Sequence, residues 1–265
     1  MRMTDWLQLM DDVAPLSIQE SWDNSGLQID YGNEEVERIL VALEITGDVI
    51  EEAISKTANM IVVHHPLIFE PIRKIDYRDM EGDYILRLIR SGISVYAAHT
   101  CFDSARNGNN DHLMELLGIQ RFSRLNMPGR GFEDSTLARI GTLPESMLFS
   151  RFLERLDRAL GHPGGIKVSG DPARLIRKVA VCCGGGGEYY QGALAAGADV
   201  FISGDIKHHE AQKARESGLC VVDAGHYGTE KIFVQNMAQQ LKQKGAGALT
   251  VICSEVMQNP YDFIL

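Results

Sequence analysis

The stretch Met60-Ile61-Val62-Val63-His64-His65-Pro66 decides the fold, because it joins an apolar strand to an abrupt polar end. Four consecutive large apolar residues predict a strand that is covered on both faces. Pro66 cannot donate a backbone hydrogen bond and therefore ends the strand. We expect the strand to carry His64 and His65 at its carboxyl end.

Similar strands alternate with helical segments in both halves of the chain, which is the pattern of parallel sheets covered by helices. The predicted strands are 38–43, 60–64, 93–98, 178–182, 200–203 and 219–223, and the predicted helices between them are 48–57, 80–91, 188–196 and 208–216. The halves also share local sequence: 91–95 (SGISV) lines up with 217–221 (SGLCV), and 58–62 (ANMIV) with 197–201 (GADVF). The sequence therefore predicts an α/β protein of two weakly duplicated domains.

Length and composition limit the class of protein. The 265 residues suffice for two modest domains, and the loop-like stretch Pro128-Gly129-Arg130-Gly131 predicts a boundary near residue 128. No apolar run reaches the ~18 residues that span a bilayer, and residues 1–15 predict an amphipathic helix and no signal peptide. A net charge of −10 disfavours nucleic-acid binding, and five cysteines without metal-site spacing predict reduced cytoplasmic thiols.

Metal-ligand residue types follow several predicted strands, where parallel sheets collect their binding groups. His64 and His65 end one strand, and Asp103 follows the next. His226 and Glu230 lie four residues apart on a helix predicted to run to Lys244, so both face the same side. A pair such as His64-His65 alone is more often a core feature. The five residues together predict a site for two divalent ions, drawn from zinc, manganese, iron, cobalt or nickel.

Three further segments are open to a functional or a structural interpretation. Asp205 could orient a ligand histidine or bind substrate, and His208 or His209 could carry protons, but a helix cap with exposed histidines is as good an account. The Gly184-Gly185-Gly186-Gly187 loop could bind phosphate, although a tight turn is the preferred interpretation. For Trp22-Asp23-Asn24-Ser25-Gly26-Leu27 we predict a structural turn with Trp22 buried.

The motifs resemble those of the Nif-three-like dinuclear-metal proteins, also called type 2 homologues of GTP cyclohydrolase I. The resemblance covers most of the chain and rests on residues 22–27 (WDNSGL), 64–69 (HHPLIF), 99–103 (HTCFD), 109–111 (NND), 204–209 (GDIKHH) and 225–230 (GHYGTE). One position departs from the family pattern, because Glu44 stands where an aspartate is expected after the first strand.

The resemblance implies two interlinked domains, 1–128 with 225–265 and 129–224, because the carboxyl-terminal segment returns to the first domain. It further implies a dinuclear site formed by the same five ligands, a homohexamer, and a small-molecule substrate that is a nucleotide if the GTP label applies. A metal-dependent hydrolase that opens a purine-type ring is the leading hypothesis. The alternative is a metal-binding regulatory or interaction protein without turnover.

Overall fold

The computed structural model describes residues 1–127, 136–162 and 164–262, and the chain divides into two compact units. One unit comprises Met1–Gly108 and Phe233–Gln258, and the other comprises Asn109–Ile232 and Asn259–Leu265. The chain thus leaves the first unit after Gly108, returns to it at Phe233 and leaves it again after Gln258. The predicted boundary at 128–131 lies outside the described residues, so the division into 1–128 with 225–265 and 129–224 stays a prediction.

The first unit is a five-stranded sheet in the order β1-β4-β3-β2-β11. Strands β2, β3, β4 and β11 pair in parallel, and β1 pairs antiparallel with β4. The strands are β1 (Gly26–Ile29), β2 (Arg38–Ala42), β3 (Met60–Val63), β4 (Ser94–Ala97) and β11 (Thr250–Cys253), and the helices are α1 (Met3–Val13), α2 (Gly47–Ser55), α3 (Met80–Arg90), α4 (Thr100–Ser104) and α10 (Ile232–Lys244). The central strands β3 and β4 are buried at every residue, as expected for a parallel sheet covered on both faces.

The second unit contains a six-stranded mixed sheet in the order β5-β6-β8-β9-β10-β7. Only β8, β9 and β10 are parallel to one another, while β5, β6 and β7 pair antiparallel. The strands are β5 (Phe122–Arg124), β6 (Arg139–Leu148), β7 (Lys167–Ser169), β8 (Leu175–Val181), β9 (Val200–Ser203) and β10 (Cys220–Asp223), and the helices are α5 (Asn109–Leu116), α6 (Phe149–Ala159), α7 (Tyr190–Ala195), α8 (His208–Glu216) and α9 (His226–Glu230). The predicted α/β class is confirmed, and both sheets are mixed.

The two sheets share one βαβαβ arrangement, and equivalent residues in them make the same hydrogen bonds. Asn59 precedes β3 and accepts bonds through Oδ1 from the backbone of Glu37 and Arg38. Asp199 precedes β9 and accepts bonds through Oδ2 from the backbone of Arg177 and Lys178 in the same way. The structure therefore aligns 58–61 with 198–201, one residue away from the register that sequence similarity suggests.

Two predicted helices have different bounds in the structure. The helix predicted from residue 226 to Lys244 is divided by a turn at Lys231 into α9 and α10. The sequence pattern over 147–160 also predicts a helix, but β6 continues to Leu148, because Met147 and Leu148 still pair with β8, and α6 begins at Phe149. Within the described ranges no helix combines the length and hydrophobicity that a membrane span requires.

Candidate metal centre

The first ligand candidate, His64, is held in one tautomer by the backbone. Its side chain is fully buried just after β3, and Nδ1 lies 3.0 Å from the carbonyl oxygen of Ala98. Because a carbonyl only accepts, Nδ1 must carry the proton and Nε2 the lone pair. Nε2 lies 3.6 Å from Oδ2 of Asp103, a buried carboxylate on α4. The structure thus brings two predicted ligands together within the first unit.

Three imidazoles meet at the carboxyl ends of β3 and β4. The ligand atoms of His64, His65 and His99 all lie within 4.8 Å of one another. His65 also has Nδ1 at 3.6 Å from Oε2 of Glu44, the residue that departs from the family pattern. His99 was not among the predicted ligands. The signal that could have revealed it is its position two residues after the strand β4, equivalent to that of His65 after β3.

His99 is oriented by a buried carboxylate, Asp23. The Asp23 side chain is fully buried, and its Oδ1 accepts a hydrogen bond from Nδ1 of His99 at 2.8 Å. Its Oδ2 accepts bonds from Oγ of Ser25 and from both the backbone N–H and the hydroxyl of Thr100. A carboxylate that holds Nδ1 leaves Nε2 of the imidazole available for a metal or for a proton.

Desolvation and hydrogen bonding act in opposite directions on Asp23. Burial raises the pKa of its carboxyl group, but the bonds and charge of His99, with the bonds from Thr100 and Ser25, outweigh burial. The net effect holds the pKa of Asp23 well below its usual value. The residue is therefore ionised throughout the neutral range and can accept all of these bonds.

We expect Asp23→Asn to lower the free energy of unfolding by roughly 1 to 3 kcal/mol at pH 7, because an amide nitrogen at the position of Oδ2 cannot accept the fixed N–H of Thr100. Urea unfolding measures the change. Asp30→Asn is the matched control, since Asp30 is exposed and accepts one local bond from Gly32. Equal stability of Asp23→Asn and the wild type would contradict this account.

The same pair predicts how stability depends on pH. A carboxyl group whose pKa is lowered by folding stabilises the protein above its unfolded pKa of about 4, and that contribution is lost as the pH falls below this value. The stability gap between the wild type and Asp23→Asn should therefore narrow as unfolding is measured from pH 6 down to pH 3. A gap that widens in acid would contradict the assigned charge of Asp23.

The second unit supplies the other two predicted ligands on one turn of helix. Nε2 of His226 lies 3.0 Å from Oε2 of Glu230, whose side chain is buried. Nδ1 of His226 lies 2.8 Å from Oδ2 of Asp205. Asp205 therefore contacts the histidine as a carboxylate that orients a metal ligand would. It is not a helix cap, because α8 begins at His208 with Lys207 in the cap position.

The glycine-rich loop positions these groups through hydrogen bonds of its backbone amides. The amides of Gly184 and Gly186 donate to the hydroxyls of Thr229 and Ser203, and the amide of Cys183 donates to the side chain of Asn110. Since protein groups already use these amides, the geometry agrees with a tight turn. A Cβ on Gly184 would overlap Oε1 of Glu230 and come close to Nε2 of His226. Glycine is required there so that the carboxylate can approach the loop.

Burial bears on two of the weaker motifs. Trp22 is 54% exposed, so the prediction that it is buried was wrong. The reason is that Asp23, not Trp22, points inward to bond His99 and Thr100. His208 and His209 are both exposed on the first turn of α8, and neither joins a group of potential ligand atoms among the described residues.

These residues fit a divalent first-row metal. Three imidazoles, those of His64, His99 and His226, each direct Nδ1 at an oxygen acceptor, so Nε2 is the ring atom that can bind an ion. Carboxylates lie beside two of them, at Asp103 and Glu230. Nitrogen and oxygen donors of this kind suit zinc, manganese, iron, cobalt and nickel, and do not distinguish among them.

Comparison with known proteins finds relatives that match this chain over nearly its full length. A protein from Clostridium acetobutylicum called "GTP cyclohydrolase 1 type 2 homolog" is 32% identical over 270 residues that cover 99% of each chain. A protein of the same name from Streptococcus pneumoniae is 32% identical over the full length of both chains. The crystal structure of a Bacillus cereus protein related to NIF3 superposes with a TM-score of 0.89 at 25% identity, covering 100% of this chain and 99% of that one.

A family model matches nearly the whole chain. The model for Duf34/NIF3 (NGG1p interacting factor 3) matches residues 1–260, which include every ligand candidate in both units. The match agrees with the sequence motifs and with the relatives. The chain belongs to the Duf34/NIF3 family.

Proposed function

We propose that this protein is a hydrolase that depends on two divalent ions held by His64, His65, Asp103, His226 and Glu230. The observation that supports it best is the shared arrangement of three imidazoles, in which an oxygen fixes Nδ1 and Nε2 is the ring atom that can bind an ion. Histidines with only a packing role have no need of this common orientation. Five protein donors exceed the need of one ion and leave open positions on two.

The protein's own groups would have distinct roles in such a reaction. When bound, a pair of divalent ions supplies Lewis acidity and lowers the pKa of water. His99 lies beside the ligand histidines, and Asp23 keeps the proton on Nδ1 of His99, so Nε2 can take a proton from a reacting group or return it. Asp205 holds His226 in its ligating orientation. In this account Asp23 and Asp205 act by positioning.

The names of the relatives suggest the reaction class. "GTP cyclohydrolase 1 type 2 homolog" describes proteins at 32% identity, and we extend the implied chemistry to this chain as the opening of a purine-type ring. Hydrolysis at C8 of a guanine ring releases formate. The homohexamer implied by the family resemblance stays a prediction, as does the cytoplasmic location.

Formate release tests the proposal. Purified protein is stripped with a chelator, reloaded separately with zinc, manganese, iron, cobalt or nickel, and incubated with GTP or guanosine. We expect formate with at least one metal, and none from the stripped protein. The variant His162→Asn should release as much formate as the wild type, because His162 is an exposed histidine paired with Asp157 and is not a ligand candidate.

The negative outcomes separate the two hypotheses. An absence of formate with every metal rejects purine-ring opening. If, in addition, metal changes the melting temperature but supports no turnover in a broad screen of amide, amidine and phosphoester substrates, the non-catalytic metal-binding alternative replaces the hydrolase.

A further inference from the structure

An exposed pair of aromatic rings lies beside the histidine cluster. Trp22 and Phe69 are 54% and 43% exposed, and their ring centroids are 6.2 Å apart. The His99 ring lies edge-on to both, at 6.0 Å from Trp22 and 6.3 Å from Phe69. Large apolar rings that are exposed side by side are typical of a ligand-binding surface. We call these two rings the aromatic platform.

The backbone beneath the aromatic platform is held in place. The side chain of Asn24 donates to the carbonyl of Ile68, and the side chain of Gln28 accepts from the N–H of Ile68. The residue next to Trp22 is Asp23, which is fixed by its bonds to His99 and Thr100. Each ring therefore belongs to a residue next to an anchored one, and a ligand would not have to order the loops when it binds.

A cavity of about 370 Å³ adjoins the aromatic platform, with Phe69 in its wall. Its lining also includes His65, Tyr84 and the carboxylates of Glu44, Glu70 and Glu81. This volume suits a small ligand with one or two rings. The lining contains three carboxylates and no lysine or arginine. A carboxylate accepts hydrogen bonds from N–H groups and repels phosphate.

We propose that the aromatic platform and this cavity bind a planar nitrogen heterocycle that bears N–H donors and carries no phosphate. The rings provide stacking faces, and the carboxylates accept the N–H groups. Because His99 lies beside the rings and His65 lines the cavity, the heterocycle would be bound at the histidine cluster. The inference rests on the proposed hydrolase and narrows its substrate from nucleotides to uncharged or cationic heterocycles such as nucleosides and free bases.

Tryptophan fluorescence tests this directly, because the protein has two tryptophans and only Trp22 is exposed, while Trp6 is fully buried. The metal-free protein is titrated at low salt with guanosine, 7-methylguanosine and GTP, which share a ring and differ in charge. Working without metal removes any coordination of the triphosphate. We expect saturable quenching by both nucleosides, strongest for the cationic 7-methylguanosine, and at least tenfold weaker binding of GTP.

Variants locate the binding surface. Trp22→Phe should remove the quenching, and Phe69→Ala should weaken nucleoside binding by roughly tenfold or more, the usual effect of removing one stacking partner. Tyr77→Ala is the matched control, because Tyr77 is also an exposed aromatic ring of the first unit and does not line the cavity. Its affinity should equal that of the wild type.

The outcomes separate this inference from the proposed function. Saturable nucleoside binding without any turnover supports the inference and rejects the hydrolase. Absence of quenching, equal binding by Phe69→Ala and the wild type, or tighter binding of GTP than of guanosine overturns the inference, even if formate is released.

Discussion

Replacing His64 with asparagine is expected to lower the affinity for a divalent ion by more than about 100-fold and to abolish turnover, since even the partners that orient metal ligands contribute 10- to 100-fold. The asparagine amide can still donate to the carbonyl of Ala98, as Nδ1 of His64 does at 3.0 Å, but it offers no imidazole lone pair. Competition with a chromophoric chelator measures the affinity.

Asparagine is preferable to alanine at this position. The His64 side chain is fully buried and packs against the Phe233 ring at a centroid distance of 5.0 Å, so alanine would leave a cavity and reduce stability as well. His162→Asn is the matched control, because it removes an exposed histidine paired with Asp157. Unchanged metal affinity in His64→Asn would show that His64 is a core residue and not a ligand.

Gly184→Ala is expected to weaken metal binding by roughly 10- to 100-fold although it replaces no ligand. The added methyl group would overlap Oε1 of Glu230 and approach Nε2 of His226, so the carboxylate must move. Gly184 also has a φ of +70°, which costs an alanine about 1 to 2 kcal/mol in stability. The overlap with Glu230 and the unfavourable φ of the alanine therefore both contribute to any loss of stability.

A second glycine separates the two effects. Gly197 has the same φ of +70°, and apart from its own residue and its two chain neighbours no atom lies within 4 Å of the position of its Cβ. Gly197→Ala should lose similar backbone stability and retain metal affinity. If the two variants bind metal equally well, the position of Glu230 does not depend on Gly184, and the role assigned to the loop is wrong.

The fold was predictable at strands whose own residues form a continuous apolar run. The apolar runs at β2, β3, β4, β9 and β10 appear in the sequence because a strand buried on both faces needs side chains of one kind. The short antiparallel strands β5 and β7 and the edge strand β11 were not predicted. They contain few buried residues, so their periodicity is weak. The strands β7 and β11 form because they pair with β10 and β2, which are distant in sequence, and β5 pairs with the next strand, β6.

The site was predictable only in part for the same reason. Ligand types just after strands pointed to His64, His65 and Asp103 without any tertiary information. The role of Asp23 depends on a bond to His99, 76 residues away, and no local pattern reports such a pairing. The requirement for glycine at position 184 likewise becomes evident only when Glu230 is placed against it. Long-range contacts that orient the ligands are thus what the sequence alone could not reveal.

The content of divalent metal in protein purified without chelator tests the central claim most directly. Mass spectrometric metal analysis of the full chain, before and after dialysis against zinc or manganese, gives both the identity and the number of ions. The account predicts two ions per chain, and a large loss of both in His64→Asn. A wild-type protein that retains no stoichiometric metal after dialysis against either ion would contradict it.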